Sequence, residues 1–302
     1  MRVLRFILTR LVLALMALAQ PAQAERQTVT LGARFYLIDL PDQPTGAAII
    51  ALHGGGGNPA QFARSSRLSD AALAQGYAVI YPAGSGPQRW LIGRLLVGKL
   101  LTWNAGYCCG HASAQGIDDV SFLDDVASDA VRRFQLDPDR LFATGMSNGA
   151  MMAERFASEG QTRLKAVAAV AGTMDLTTTR PRAVPLLVIH GTADDHVAYG
   201  GGPGPESYQQ AAFTAVPRLV ATWLQTFAAP LRETTTPVGP AQDGTRVIRT
   251  DHADAAGKVA LRLLTVEGGG HTWPGSRRAP RQNGTLDIRA NDEVLTFFSL
   301  WP

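Results

Sequence analysis

Short continuous apolar runs alternate along the chain with longer segments of helical character. The apolar runs cover residues 47–52, 77–82, 141–143, 164–172 and 185–191. An apolar run of this length without alternation indicates a strand that is buried on both faces. Helical spacing or strong helix formers occupy residues 59–76, 118–131, 150–157, 207–227 and 291–298. Strands that alternate with helices predict an α/β fold, with a mainly parallel sheet and helices on both faces.

Two further pairs of segments have the character of outer strands. Residues 27–31 and 33–40 form one pair, which Pro41 ends, and residues 245–250 and 259–266 form the other. We therefore expect the sheet to carry additional strands at its edges.

Residues 1–24 have the features of a secretory signal peptide. A basic segment precedes an apolar stretch that is too short to span a bilayer, and an Ala-Gln-Ala cleavage site ends the leader. The sequence therefore predicts a protein secreted to the periplasm or outside the cell. Residues 25–302 contain no linker or repeat and are expected to form a single domain.

Removal of the leader changes the charge of the chain. The full sequence has 28 Lys and Arg against 25 Asp and Glu, and three of the arginines lie in residues 1–24. The remaining chain is electrically balanced, which gives no indication of a nucleic acid partner. No later stretch has the length and hydropathy of a membrane span, so we expect no membrane association after cleavage.

The chain has two cysteines, and they are adjacent, Cys108 and Cys109. Export would place them in an oxidising compartment. A bond between neighbours closes almost no loop, so it would remove little entropy from the unfolded chain. A vicinal disulfide and two reduced thiols packed as small apolar groups are both compatible with this pattern.

Residues 145–149, Gly-Met-Ser-Asn-Gly, stand between a strand-like run and a segment of strong helix formers. A G-x-S-x-G pentapeptide in this context is typical of a nucleophile elbow, where the serine has a strained backbone at a strand-to-helix turn. The glycines allow strand and helix to approach closely, and the helix N-terminus favours a developing negative charge. Ser147 is therefore the candidate nucleophile.

A serine nucleophile needs a base and an acidic residue that orients the base. His271 is the candidate base, because three glycines precede it in a loop that leaves the last predicted strand. Asp194, just after a buried run, is the candidate acid, and Asp195 is its direct competitor. We interpret His196, beside these acids, as a rim residue. The chain order Ser147, Asp194, His271 is that of the α/β-hydrolases.

Stabilisation of an oxyanion needs two converging N–H donors. One would be the backbone N–H of Asn148, the residue after the nucleophile. The other would come from the loop at residues 53–58, His-Gly-Gly-Gly-Gly-Asn, where glycines leave the backbone uncovered. Gly55 is the candidate donor there, and Gly56 is the alternative. The sequence has no zinc motif or cluster of His and Cys, so it predicts neither a metal nor another cofactor.

Six motifs are spread over about residues 30–300: LHGGGGN, W-x-x-G-x-C-C-G, DDV-x-F, TGMSNGAMM, HGTAD-x-x-V-x-Y and GGGHTWPG. Together they resemble the secreted polyhydroxybutyrate depolymerase-like and feruloyl esterases, to which carbohydrate esterase family 1 is similar. The resemblance implies the α/β-hydrolase fold and a serine esterase. By this resemblance the site residues are Ser147, Asp194 and His271, with Gly55 and Asn148 at the oxyanion hole.

Two segments depart from the pattern of that family. The segment of residues 88–102 is longer and more apolar than is expected for that family. It predicts either a loop with a short packed helix or a mobile cap over the site. Residues 196–199, His-Val-Ala-Tyr, lack the proline that often precedes the tyrosine.

The resemblance implies ester hydrolysis through an acyl-enzyme. The substrate would be a hydroxybutyrate-type oligomer or polymer, or a feruloyl or acetyl ester of a plant polysaccharide. No adsorption domain follows the last predicted helix, which favours soluble esters. The alternatives are an acyltransferase on the same scaffold and a non-catalytic secreted binding protein. The presence of Ser147, Asp194 and His271 argues against a binding protein.

Overall fold

The computed structural model describes residues 26–87, 100–207, 209–240, 242–277, 279 and 282–302. The predicted leader and most of the 88–102 segment, with the cap expected there, lie outside these residues. Within the described ranges, no helix is both long and apolar enough to cross a membrane.

The described residues contain one sheet of ten strands in the order β1-β2-β4-β3-β5-β6-β7-β10-β9-β8. The strands are β1 Gln27–Leu31, β2 Arg34–Asp39, β3 Ala48–Leu52, β4 Ala78–Pro82, β5 Leu141–Met146, β6 Leu164–Val170, β7 Leu186–Gly191, β8 Arg232–Val238, β9 Arg246–Ala253 and β10 Val259–Glu267. From β4 to β10 across the sheet, neighbouring strands are parallel. The strands at both edges are antiparallel. The prediction of a mainly parallel α/β sheet is confirmed.

Helices cover both faces of the sheet. They are α1 Pro59–Ser66, α2 Leu68–Leu73, α3 Gly110–Ala114, α4 Asp119–Phe134, α5 Asn148–Glu159, α6 Val216–Leu224 and α7 Ala290–Ser299. Successive residues of β3 point to opposite faces, as the strand period requires. Ile50 packs in the apolar cluster that contains α4, α5 and α6, whereas Ile49 packs in the cluster that contains α1, α2 and α7. The site therefore stands on a sheet with a core on each face.

Two of the predicted helices are wrong in extent. The segment 59–76 contains two helices, α1 and α2, because Arg67 between them has a left-handed backbone with φ 54°. The predicted helix at 207–227 begins only at Val216, and Pro217 lies in its first turn. Proline has no N–H, and its ring clashes with the helical carbonyl four residues earlier, so it is tolerated in the first turn of a helix but not further inside it, and the helix does not extend towards residue 207.

The edge strand β8 was not predicted. Its residues, Arg-Glu-Thr-Thr-Thr-Pro-Val, are mostly exposed and give neither an apolar run nor a clear alternation. Pro237 is tolerated because β8 is the last strand of the sheet. The pairing of the two segments at 245–250 and 259–266 is confirmed as the antiparallel pair β9 and β10.

Candidate active site

Ser147 lies at the sharp turn between β5 and α5. Its backbone has φ 57° and ψ −126°, a region that costs a residue with a side chain about 1–3 kcal/mol. Two backbone hydrogen bonds hold this conformation. Ser147 N donates to the Val170 carbonyl over 2.8 Å, and Met151 N donates to the Ser147 carbonyl over 3.0 Å. The pentapeptide thus forms the strand-to-helix turn that the sequence predicted.

The glycines of the pentapeptide are required by close backbone contacts. A Cβ on Gly145 would lie 2.3 Å from the Gly149 carbonyl oxygen. A Cβ on Gly149 would lie 2.3 Å from the Leu52 carbonyl oxygen, at the end of the neighbouring strand β3. Gly149 therefore lets α5 start directly against β3, which brings the elbow next to the loop that follows β3.

His271 and Asp194 form a hydrogen-bonded pair beyond the carboxyl ends of β10 and β7. His271 Nδ1 lies 2.8 Å from Asp194 Oδ2. The two loops are joined by backbone contacts, because Ala193 N donates to the Gly269 carbonyl over 2.9 Å. A Cβ on Gly191 would lie 2.1 Å from that same oxygen, so only glycine allows this approach.

The electrostatics favour an ionised Asp194. Burial would raise the pKa of this carboxyl, but hydrogen bonds from His190 and His271 and their charges outweigh burial. The net pKa of Asp194 lies well below its usual range. Its other oxygen, Oδ1, accepts from the backbone N–H groups of His196 and Val197 over 2.9 and 2.8 Å. Asp194 can therefore hold a neighbouring imidazole in a fixed orientation.

His190 is a second partner of Asp194 that the sequence reasoning missed. Its Nε2 lies 2.8 Å from the Val197 carbonyl oxygen and 3.4 Å from Asp194 Oδ2. A carbonyl only accepts hydrogen bonds, so Nε2 of His190 carries the proton. The position of His190 near the end of a buried run, four residues before the acid, was the available signal.

Asp195, the alternative acid, lies in a different environment. Its side chain is half exposed, and its Oδ1 lies 2.6 Å from His196 Nδ1. The His196 ring stacks on the His271 ring, with centroids 4.7 Å apart and planes 10° apart. The structure thus pairs His271 with Asp194 and places His196 beside the base.

The residues that could hold a metal ion at this site already have protein partners. Asp194, Asp195 and His196 offer ligand atoms within 4.8 Å of one another. Asp194 accepts from His271 and from backbone N–H groups, and His196 pairs with Asp195. Asp194 thus already orients the His271 imidazole, and Asp195 already contacts the ring of His196.

The glycine loop after β3 lies against the elbow. A Cβ built on Gly55 would lie 3.5 Å from the Asn148 Cβ. Gly56 N, the alternative oxyanion donor, is engaged with the Leu101 carbonyl over 2.9 Å. Gly55 N donates to no acceptor among the described residues. Asn148 is the first residue of α5, so its N–H has no partner within the helix. Gly55 and Asn148 therefore remain the candidate donors.

The two cysteines lie next to Trp103, because Cys109 N donates to the Trp103 carbonyl over 2.9 Å. The structure joins Cys108 and Cys109 as a vicinal disulfide, across a cis peptide bond. Cys108 is buried, and Gly110, which follows Cys109, donates its N–H to Gln209 Oε1 over 2.8 Å.

Glu154 on α5 is completely buried. Neither of its carboxylate oxygens has a hydrogen-bond partner among the described residues. Burial raises the pKa of Glu154 well above its usual value. The carboxyl is therefore expected to keep its proton in the folded protein at a pH where it loses the proton in the unfolded chain.

We predict that Glu154→Gln stabilises the protein at alkaline pH. Above the unfolded pKa of about 4.3, the unfolded chain binds fewer protons than the folded protein, so stability falls as pH rises. Glutamine cannot ionise, and its melting temperature should exceed that of the wild type by a few degrees at pH 8 and by less at pH 4.5. Differential scanning fluorimetry at both pH values measures this. Glu159→Gln, on the same helix but paired with Arg155, should show no gain. An equal shift at both pH values would contradict the prediction.

Comparison with known families gives a partial match. The sequence model of the prolyl oligopeptidase family matches residues 114–183, which is less than half of the chain. This stretch contains α4, β5, the elbow, α5 and β6. The match therefore coincides with the elements that place Ser147.

Three known proteins show similarity over most of the chain. A protein of Nocardia uniformis subsp. tsuyamanensis named "Putative esterase NocK" is 29% identical over 248 residues, covering 78% of this chain and 68% of that protein. The acetyl xylan esterase from Aspergillus awamori superposes with a TM-score of 0.60 at 15% identity, covering 91% of this chain and 99% of that one. TT1662 from Thermus thermophilus superposes with a TM-score of 0.54 at 20% identity, covering 92% and 97%. Together with the strand order, these likenesses show that the chain has the α/β-hydrolase fold.

Proposed function

We propose that this protein is a serine carboxylesterase. The observation that carries the proposal is the backbone of Ser147, whose φ of 57° is that of a serine at the sharp turn of a nucleophile elbow. A buried carboxylate and an imidazole are paired beyond neighbouring strands of the same sheet. The similarity to a protein named as an esterase supports the same chemistry.

Ser147 is the nucleophile in this mechanism, and His271 is the general base. Asp194 is ionised and accepts from Nδ1 of His271, so Nε2 of that ring is free to take the serine proton. Attack of Ser147 Oγ on the ester carbonyl then gives a tetrahedral oxyanion. The N–H groups of Gly55 and Asn148 stabilise its charge. His271 returns the proton to the departing alcohol, and water repeats the sequence on the acyl-enzyme.

The proposed substrates are esters of hydroxybutyrate type, or feruloyl and acetyl esters of plant polysaccharides. The motif resemblance supports both groups. Acetyl xylan esterase from Aspergillus awamori shares the fold at 15% identity, which supports the scaffold and not the substrate. We also propose that the protein acts after export, since its first 24 residues have the features of a signal peptide.

A hydrolysis panel tests this function. The purified protein would be assayed on methyl ferulate, acetylated xylan, hydroxybutyrate oligomers, short p-nitrophenyl esters and a prolyl p-nitroanilide. The Ser147→Ala protein is the control. We expect turnover of at least one ester and little or none of the anilide. Turnover of the anilide alone would replace the esterase proposal by a peptidase. Equal rates for wild type and Ser147→Ala on every ester would refute the mechanism.

A further inference from the structure

The side chain of Asn148 makes two hydrogen bonds to the backbone of one residue, Trp103. Its Oδ1 accepts from Trp103 N over 2.7 Å, and its Nδ2 donates to the Trp103 carbonyl over 3.0 Å. Both residues are almost completely buried. Asn148 therefore carries a candidate oxyanion donor on its backbone and a two-point anchor on its side chain.

Trp103 in turn contacts the loop that supplies the other candidate donor. Its indole Nε1 donates to the His53 carbonyl over 2.9 Å, and the centroids of the indole and the His53 imidazole lie 5.0 Å apart. His53 is the residue before the glycine run. Gly84 N donates to His53 Nε2 over 3.0 Å, so the proton of the neutral ring is on Nδ1, which lies 2.9 Å from the Gly54 carbonyl. Burial lowers the pKa of His53 to about 4, which keeps the ring neutral.

The segment that holds Trp103 is itself fixed. Asn104 N donates to Asp119 Oδ2 over 2.7 Å, and Asp119 Oδ1 lies 2.7 Å from Arg34 Nη1. The Arg34 guanidinium lies over the Trp103 ring, 5.5 Å from its centroid, and over the Phe122 ring at 3.5 Å. The Arg34–Asp119 ion pair thus fixes the residue after Trp103 and packs against the indole ring. Asn148 and His53 are hydrogen-bonded to Trp103 itself.

We propose that Trp103 and the side chain of Asn148 are positioning residues that set the separation of the two oxyanion donors. The chain of contacts runs from the Asn148 amide through Trp103 to the carbonyl of His53, two residues before Gly55. This inference rests on the proposed esterase function. The two donors lie on separate segments, the loop after β3 and the first residue of α5. Trp103 is hydrogen-bonded to both segments, in addition to their direct contact through Gly149.

The expected effect follows from how an oxyanion hole works. Loss of one donor costs on the order of 10²–10³ in kcat, and a displacement of about 1 Å costs roughly a hundred-fold. The donors act on the tetrahedral state, so their displacement lowers kcat and leaves KM nearly unchanged. A variant that is merely less stable would contain fewer active molecules but keep the kcat of each one.

Trp103→Phe tests the link to His53 and is matched by a control elsewhere in the chain. Phenylalanine retains the ring but removes the indole N–H. Trp223→Phe makes the same change at another fully buried tryptophan, whose Nε1 donates to the Val184 carbonyl over 2.8 Å. Active sites would be counted by titration with a fluorophosphonate, and kcat and KM would be measured per titrated site on the best ester of the panel.

Trp103→Phe should lose about ten- to a hundred-fold in kcat per site, with KM within about twofold, and Trp223→Phe should match the wild type. Asn148→Ala should show the same pattern as Trp103→Phe. Binding of a boronic acid, which forms a tetrahedral adduct with the serine, should weaken by the same factor as kcat/KM falls. Equal kcat per site for Trp103→Phe and Trp223→Phe would overturn the positioning role while Ser147→Ala remained inactive. Activity retained by Ser147→Ala would overturn both proposals.

Discussion

Ser147→Ala is expected to remove ester hydrolysis while the fold remains intact. The hydroxyl is the nucleophile in the proposed mechanism, and alanine cannot form the acyl-enzyme. We expect kcat to fall by on the order of 10³-fold or more, with the residual rate coming from substrate binding and the oxyanion donors. The backbone of residue 147 should be equally strained with alanine and with serine, because both residues have a Cβ. The substitution should therefore leave the turn unchanged.

Steady-state kinetics on a p-nitrophenyl ester measures this loss, and circular dichroism with thermal melting provides the control for folding. A melting temperature close to that of the wild type would show that the loss is chemical. Near-wild-type turnover by a folded Ser147→Ala protein would refute the proposed mechanism.

Asp194→Asn should be far more damaging than Asp195→Asn. Asp194 is the carboxylate within 2.8 Å of His271 Nδ1, and its pKa lies well below its usual range, so it is ionised at working pH. Asparagine can present its NH₂ to the ring and favour the wrong tautomer, which costs on the order of 10³–10⁴ in kcat. Asp195 contacts His196 and is half exposed, so its replacement should cost less than about tenfold.

Both aspartate variants would be compared per titrated active site on one ester, so that differences in folding yield do not enter the ratio. His196→Ala provides a further comparison, because it removes the ring that stacks on His271 without touching Asp194 Oδ2. The reverse ranking of the two aspartates would move the orienting role to Asp195 and leave Ser147 and His271 in place.

The candidate site could be predicted from local features of the sequence. Gly145 and Gly149 are required by backbone contacts within a few residues or with the adjacent strand, so the pentapeptide carries its own structural reason. The acid follows a buried strand, and the base follows a glycine-rich loop. These are short-range patterns that parallel strands bring to one edge of the sheet.

The features that the sequence did not predict depend on contacts between distant residues or on weak patterns. Trp103 and Asn148 are 45 residues apart, and nothing near either one indicates that they are bonded. Arg67 has a left-handed backbone without being glycine or asparagine, so the break between α1 and α2 has no local signal. Strand β8 is exposed and polar because it lies at the edge of the sheet.

The late start of α6 did have a local signal. Pro217 is tolerated in the first turn of a helix but not in its interior, and this outweighs the helical character assigned to residues 207–215. A buried carboxyl such as Glu154 is different, since its position on a helix gives no indication that both oxygens lack partners. Such burial is visible only when all the neighbouring elements are in place.

Mass spectrometry of the protein after reaction with a fluorophosphonate identifies the serine that acts as nucleophile. The reagent forms a covalent bond with a serine that an adjacent base has activated. The proposed mechanism predicts one adduct per chain, on the peptide that contains Ser147, and no adduct on the Ser147→Ala protein. It also predicts much slower labelling of Asp194→Asn and His271→Ala than of the wild type. An adduct on a different serine would contradict this mechanism. Labelling of Ser147 at the same rate in the wild type, Asp194→Asn and His271→Ala would contradict it as well.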